Sequence, residues 1–333
     1  MRTMRAEHRE KQQARDHYQN VTDRIIAALE AGVVPWRKAW DATRCGGPFN
    51  PTTRRVYRGI NRILLDLCQV LHGEGDPRWC SYRQALARGW QVRRGESGTR
   101  IYFFKPLEID EAGASGDRPG EDRDDKRVIH LLRAYTVFHA SQIEGMPSYV
   151  APDADALPWR RPEAVRTILE NSGADIRTGG NRAFYDPARD FIVLPPVHAF
   201  ARADGWAATA MHEAAHWVGA KGRLDRDLSG AFGTERYAIE ELRVEIAAAM
   251  VCSTLGVAVD YANHARYIDN WLGALRRDKR AIFRAAADAQ RIADYLLGFH
   301  PDYAARLTCD GEAGAEDASS DAADHGDSLL SAA

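Results

Sequence analysis

His212-Glu213-Ala214-Ala215-His216 is the stretch whose reading decides the fold of the second half of this chain. It fits the pattern H-E-x-x-H. On a helix, residues i and i+4 share one face, so the two imidazoles can hold one divalent metal. Glu213 stands beside them, free to act as general base on a metal-bound water. A surface helix with two solvated histidines would show the same five letters, but the flanks argue against it. Trp206, Ala210 and Trp217 give the segment a broad apolar face. The helix therefore reads as largely buried, and unpaired histidines and a glutamate would be costly there. Metal ligation removes that cost. Asp204 is the expected N-cap, and Gly219 or Gly222 the expected stop.

A catalytic metal site needs a third protein ligand and an open position for water. The next acidic helix, Tyr237 to Ala247, starts about twenty residues downstream, behind a connection containing Gly219, Gly222, Gly230 and Gly233. Glu241 and Glu245 share a face of it with Leu242, Ile246 and Ala249. Two carboxylates on a mostly apolar face call for a cation or for hydrogen-bond donors. Glu241 is the expected third ligand. Glu245, with Glu240 beside it, is expected to orient a ligand histidine through its free ring N–H. The swapped assignment, or Glu240 as ligand, stays open, as does an ordinary solvated charged face. Upstream, Arg182 to Pro196 reads as a β-hairpin turning at Asp186-Pro187. Its edge could pair an extended substrate. Tyr185 on it could serve a developing oxyanion, although a cross-strand aromatic is the commoner role for such a residue.

The 333 residues leave room for two domains, and a 45% hydrophobic content is ordinary for a globular protein. No run of eighteen apolar residues marks a membrane span, and the charged Met1–Arg15 segment lacks the apolar core of a secretory signal. The five cysteines have no C-x-x-C spacing and suggest free thiols in a reducing, cytoplasmic setting. The net charge of −2 hides an asymmetry. Residues 1–105 carry 20 Lys and Arg against 10 Asp and Glu, whereas residues 301–333 carry one Arg against eight Asp and Glu. The fold expected is α+β in two domains. Residues 1–147 form a nucleic-acid-binding domain with a flexible loop at about 108–127, and 148–161 a linker. Residues 162–306 form a metallopeptidase-like domain whose last two helices pack behind the metal helices, and 307–333 a disordered acidic tail. Within the first domain, helices are expected over Thr22–Ala31 (Thr22 a possible cap), Asn61–Leu71 and Ser81–Arg88. A β-hairpin is expected to join Gln91–Arg93 to Thr99–Phe104, with a further strand over Ile129–Phe138.

That first domain interleaves positive charge with aromatic rings. Trp36-Arg37-Lys38-Ala39-Trp40 comes first, then Arg54-Arg55-Val56-Tyr57-Arg58-Gly59-Ile60-Asn61, then Trp79, Tyr82, Arg83, Trp90, Arg93, Arg94, Tyr102 and Lys105. Single-stranded nucleic acid needs both elements: cations follow the phosphates, and rings stack on bases without reading sequence. Any single tryptophan is more readily explained as core. The whole pattern favours single-stranded DNA, bound with weak sequence preference and strong salt dependence.

The chain resembles antirestriction proteins of the ArdC type, which also form the N-terminal part of some plasmid TraC primases. In the first domain the resemblance rests on Val21-Thr22-Asp23-Arg24-Ile25-Ile26, Leu29-Glu30-Ala31-Gly32-Val33-Val34-Pro35-Trp36, Tyr57-Arg58-Gly59-Ile60-Asn61, Val92-Arg93-Arg94-Gly95-Glu96 and Gln142-Ile143-Glu144-Gly145-Met146-Pro147. In the second it rests on the His212–His216 motif, Arg223-Leu224-Asp225-Arg226, Tyr237-Ala238-Ile239-Glu240-Glu241-Leu242 and Trp271-Leu272. The resemblance implies a single-stranded-DNA-binding domain, with weaker binding of duplex DNA, followed by a zincin-like metallopeptidase domain. It implies a protein that travels with mobile elements and shields incoming DNA from restriction. It makes His212 and His216 ligands of a divalent metal (Zn expected, Mn tolerated), Glu213 the catalytic base, and a glutamate of Glu240-Glu241-Leu242 the third ligand. Two positions depart from the family pattern: Ala214 stands where Leu is common, and His139 where Asn is usual, which could alter a turn or a DNA contact. Two other readings compete. One is a metalloprotease cleaving a specific host protein with DNA as scaffold. The other is a passive DNA coat whose metal domain is only structural.

Overall fold

The computed structural model describes residues 16–36, 46–72, 75–109, 127–150, 161–231, 233–258 and 265–305. Arg37, Lys38, Trp40, the side chain of Lys105, the expected acidic tail and most of the expected loop and linker lie outside the described residues. The chain divides into two compact units, Met1–Ala151 with Leu272–Arg284, and Pro152–Trp271 with Ala285–Ala333.

In the first unit, helix α1 (His17–Glu30) buries Val21, Ile25 and Leu29, a stripe spaced at i and i+4. Its cap is Asp16, whose side chain accepts from the Gln19 amide at 3.1 Å. Thr22, the possible cap, is instead fully buried within the helix, where its hydroxyl donates to the Lys279 carbonyl at 2.8 Å. Gly32, at φ +76°, ends the helix. Helix α2 (Gly59–Gln69) passes into a 3-10 turn at Val70–His72. Then follow β1 (Trp79–Cys80), α3 (Tyr82–Ala87), β2 (Gln91–Val92), β3 (Thr99–Ile109), β4 (Arg127–His139) and β5 (Ile143–Glu144). Ser81 and Gln84 form a capping box on α3.

The expected β2–β3 hairpin does not form. β3 pairs antiparallel with β4 over its whole length, from Thr99↔Val137 to Ile109↔Arg127, while β2 pairs with β5. An eleven-residue ladder outweighs anything the two residues of β2 could offer, so the long-range partner wins. β4 also pairs with β1, giving the order β1-β4-β3. The core on this sheet comprises Leu65, Cys68, Trp79, Ile101 and Val137. A smaller one gathers Cys80, Ala85, Val92 and Ile143. His139 is 1% exposed and caps the 3-10 turn Ala140–Gln142.

In the second unit, α4 (Arg161–Ser172) leads to a three-stranded sheet of β6 (Asp175–Thr178), β7 (Phe184–Asp186) and β8 (Phe191–Leu194), in the order β6-β8-β7. The β7–β8 hairpin is the one expected from the sequence. Asp186 Oδ1 accepts from the amides of Ala188 and Arg189 in its turn, and Asp190 takes the left-handed conformation at φ +53°. Helix α5 (Ala203–Trp217) carries the H-E-x-x-H motif, and α6 (Glu235–Leu255) the acidic residues. The N-cap of α5 is Arg202, with Asp204 inside the first turn where its charge suits the helix dipole. Helices α7 (Ala265–Arg277) and α8 (Ala281–Leu297) follow. Residues 272–284 of these count with the first unit, whereas Asp288 pairs with Arg243 of α6 at 2.7 Å. Among the described residues no helix is long and apolar enough to cross a membrane, and Cys68, Cys80 and Cys252 are buried free thiols.

Candidate metal centre and nucleic-acid surface

Helices α5 and α6 pack on each other, and that contact brings the two halves of the centre together. One helical turn separates His212 from His216, and their ring centroids lie 5.0 Å apart at 77°. Glu241 reaches between them. Its Oε1 is 3.4 Å from His216 Nε2 and its Oε2 is 3.7 Å from His212 Nε2. These three residues each offer a ligand atom, all within 4.8 Å of one another. The opposite ring nitrogens face other carboxylates: His212 Nδ1 is 3.5 Å from Glu245 Oε1, and His216 Nδ1 is 3.7 Å from Glu240 Oε1. Glu240, Glu241 and Glu245 are 6%, 3% and 1% exposed, so the solvated-face alternative does not apply to them.

At His216, Glu240 and Glu241 burial works against charge, and the neighbours decide the outcome. At His216 burial disfavours the proton, but Glu240 and Glu241 outweigh it and push the imidazole up to about 10. Burial likewise raises the Glu241 carboxyl, yet the hydrogen bond from His216 and the charges of both histidines hold it below the usual range. Glu240 is held lower still, against burial, by His216 and Arg226. Two imidazole nitrogens and one carboxylate, with carboxylates behind both rings, form a donor set that fits a divalent cation. Glu213 is 8% exposed, and its charge reaches His216.

The chain leaving α5 turns back over its own end. Leu224 donates its amide to the Val218 carbonyl at 2.9 Å and Arg226 to Gly219 at 2.8 Å, with Asp225 left-handed at φ +47°. This turn brings in two arginines whose positions the spacing of the motifs did not announce. Arg226 donates to the Ala215 carbonyl at 2.6 Å and to Glu240 Oε1 at 2.7 Å. Arg223 donates to the Trp217 carbonyl at 2.6 Å and to Asp190 Oδ2 at 3.0 Å. Tyr185 is drawn into the same group: its hydroxyl donates to Asp190 at 2.8 Å and accepts from Arg223 at 3.3 Å. Burial and Asp190 push that phenol up to about 12.

In the first unit the expected DNA contacts separate. Arg54, Arg58, Arg93 and Arg94 are exposed, and Arg55 is half-buried. Arg93 also pairs with Glu96 and donates to the Ser141 carbonyl. Three of the expected contacts are instead part of the framework. Trp36 is 7% exposed and offers no stacking face. Tyr57 is held by its hydroxyl on the Trp79 carbonyl at 3.0 Å. Asn61 is buried and bonds both backbone groups of Tyr102, donating at 2.8 Å and accepting at 2.7 Å. The exposed rings lie elsewhere: Tyr82, Phe103 and Phe104 are 46–49% exposed. Tyr82, Gln91, Val92, Arg93, Arg94, Glu96, Phe138 and Glu144 line an open groove of about 770 Å³.

Comparison with known proteins agrees with both halves. Residues 15–138 match the N-terminal domain of anti-restriction factor ArdC, and residues 163–288 match the zincin-like metallopeptidase family. An Escherichia coli DNA primase TraC is 43% identical over 295 residues, and a second is 41% identical over 289. These alignments cover 85% and 84% of this chain but only 27% and 20% of the primases. The uncharacterized protein y4eC of Sinorhizobium fredii is 42% identical over 84% of this chain and 91% of its own length. The antirestriction protein ArdC from plasmid R388 is 40% identical and covers 86% of this chain, which in turn covers 98% of it. Its TM-score is 0.72 metal-free and 0.69 with Mn(II) bound. An ArdC N-terminal domain joined to a zincin-like domain, in a chain this close to the R388 ArdC in sequence and fold, means that the protein belongs to the ArdC family of antirestriction proteins.

Proposed function

We propose that this protein protects incoming DNA of a mobile element from restriction in the cytoplasm. In this reading it binds single-stranded DNA through its first domain, and duplex DNA more weakly. Its second domain carries a divalent-metal centre with the layout of a peptidase. The observation that carries the metal reading is the convergence of His212 Nε2 and His216 Nε2 on the buried carboxylate of Glu241. His212, His216 and Glu241 would hold the cation, while Glu245 and Glu240 would orient the rings from their Nδ1 sides. The donor set suits Zn and tolerates Mn, and the Mn(II)-bound form of the R388 relative supports a divalent ion. When bound, such an ion supplies Lewis acidity for a substrate carbonyl and for water. Glu213, one residue beyond His212, is the group to take the proton from the attacking water and return it to the leaving nitrogen. β7 lies at the edge of its sheet among the described residues, where an extended peptide could add as a further strand. An oxyanion role for Tyr185 requires its hydroxyl to leave Asp190.

DNA binding is assigned to the exposed arginines 54, 58, 93 and 94 and to the groove beside Tyr82, where cations and a ring lie together. The similarity to TraC primases and to the ArdC N-terminal domain supports it. A second reading, cleavage of a host protein with DNA as scaffold, is favoured by Glu213, which a purely structural metal site would not need. A DNA-protection assay comparing wild type with Glu213→Gln, with bound metal measured in both, separates the two. Retained protection in the metal-loaded variant supports the first reading, and lost protection with metal still bound supports the second.

A further inference from the structure

Arg226 lies outside the ligand set, yet a site is built for it. Its side chain is 7% exposed. Besides the bonds to the Ala215 carbonyl and Glu240 Oε1, its Nε is 3.3 Å from each Glu240 oxygen, so the guanidinium faces the carboxylate edge-on. The backbone makes room for it: a Cβ at Gly219 would lie 2.8 Å from Arg226 Nη2 and 2.9 Å from its Cζ. Arg243, the other cation at Glu240, is farther away at 3.5 Å and is shared with Asp288. Beyond Glu240 stands His216, with Nδ1 3.7 Å from the same Oε1 that Arg226 holds. A buried carboxylate that loses its hydrogen-bond donors turns toward water, and it then ceases to fix a neighbouring imidazole.

We propose that Arg226 is a positioning residue for the metal centre: it holds the Glu240 side chain in place behind His216 Nδ1 and so presents His216 Nε2 toward Glu241. The inference rests on the metal-centre reading above. It also separates the adjacent glutamates, with Glu240 committed to Arg226 and Glu241 left facing both Nε2 atoms. Arginine suits this role better than lysine because its planar fork holds the carboxylate and the Ala215 carbonyl together.

The test is calorimetric titration of the full chain with Mn²⁺ and with Zn²⁺, for wild type, Arg226→Gln, Glu240→Gln and the double variant. Folding of each metal-free form is checked by near-UV circular dichroism. Each single change is expected to weaken binding about 10–100-fold, and the double variant to be no weaker than the worse single, because both residues act along one chain of contacts. If Arg226→Gln does not fold, Arg226→Lys replaces it in the cycle; it keeps the charge but loses the fork, and the same non-additive loss is expected. Wild-type affinity in the arginine variant, or losses that add in the double, overturns the proposal. Wild type that binds neither ion overturns the metal-centre reading and this inference together.

Discussion

Glu245 Oε1 lies 3.5 Å from Nδ1 of His212, on the opposite side of the ring from the nitrogen that faces Glu241. The same arrangement recurs at His216, with Glu240 behind and Glu241 in front. Residues 240, 241 and 245 therefore differ in position around the two rings although they are one residue type on one helix. In the proposed metal reading Glu241→Gln would remove a ligand and is expected to lower Mn²⁺ or Zn²⁺ affinity by more than ~100-fold, whereas Glu245→Gln is expected to cost about 10–100-fold. Calorimetry on the two variants ranks them, and an equal or reversed order reassigns the third ligand.

In the proposed reading, metal and proton would compete at His216. Glu240 and Glu241 push its pKa from the ordinary 6.5 up to about 10 in the metal-free protein, so a cation bound there would have to displace a proton at neutral pH. Loading is expected to release protons and to tighten as pH rises from 6.5 toward 10. Stability moves the other way. A folded pKa above the unfolded one stabilises the metal-free protein fully below pH 6.5 and loses that effect as pH rises through 10. Thermal unfolding with and without chelator, across this range, should show the metal-free midpoint falling and the loaded one falling less. Parallel curves would refute the competition.

The clustering of His212, His216 and Glu241 was legible from sequence because helical periodicity is local. Spacing alone puts His212 and His216 on one face and Glu241 and Glu245 on another. What spacing cannot show is which side of a ring each glutamate meets, since that depends on the packing of α5 on α6. Arg226 was legible only as part of a family motif: its role depends on a reversal of the chain and on the missing Cβ of Gly219. The β2–β3 hairpin failed for a related reason. A Gly-rich turn is a local signal, but β2 takes its partner some fifty residues away, at Ile143–Glu144. Trp36, Tyr57 and Asn61 show the limit of reading composition. An aromatic or amide beside arginines looks the same in sequence whether it meets a nucleotide or the backbone of Tyr102.

Asn61 is expected to act on stability rather than on DNA. Asn61→Ala leaves the buried amide and carbonyl of Tyr102 without their partners, at a cost of about 1–3 kcal/mol for each unsatisfied group. Chemical denaturation should register that loss, while the folded variant binds oligonucleotides as wild type does. A variant of unchanged stability with weakened DNA binding would restore Asn61 to the interface.

The arginines of the groove are expected to do the reverse. Arg94 is exposed beside Tyr82 and Arg93, and a phosphate it neutralises releases its counterion. Arg94→Ala should therefore reduce the slope of log affinity against log salt by about 0.7 on single-stranded DNA, by a similar amount on every sequence. Tyr82→Ala removes a ring and no charge. It should cost about 1–3 kcal/mol of binding with the slope unchanged, as loss of one base stack does. Arg93→Ala serves as an internal comparison: its pairing with Glu96 and the Ser141 carbonyl already engages part of its charge, so its effect on the slope should be smaller than that of Arg94. Fluorescence anisotropy over a salt series measures all three. If the slope is the same in Arg94→Ala as in wild type, the phosphate path does not run through this groove.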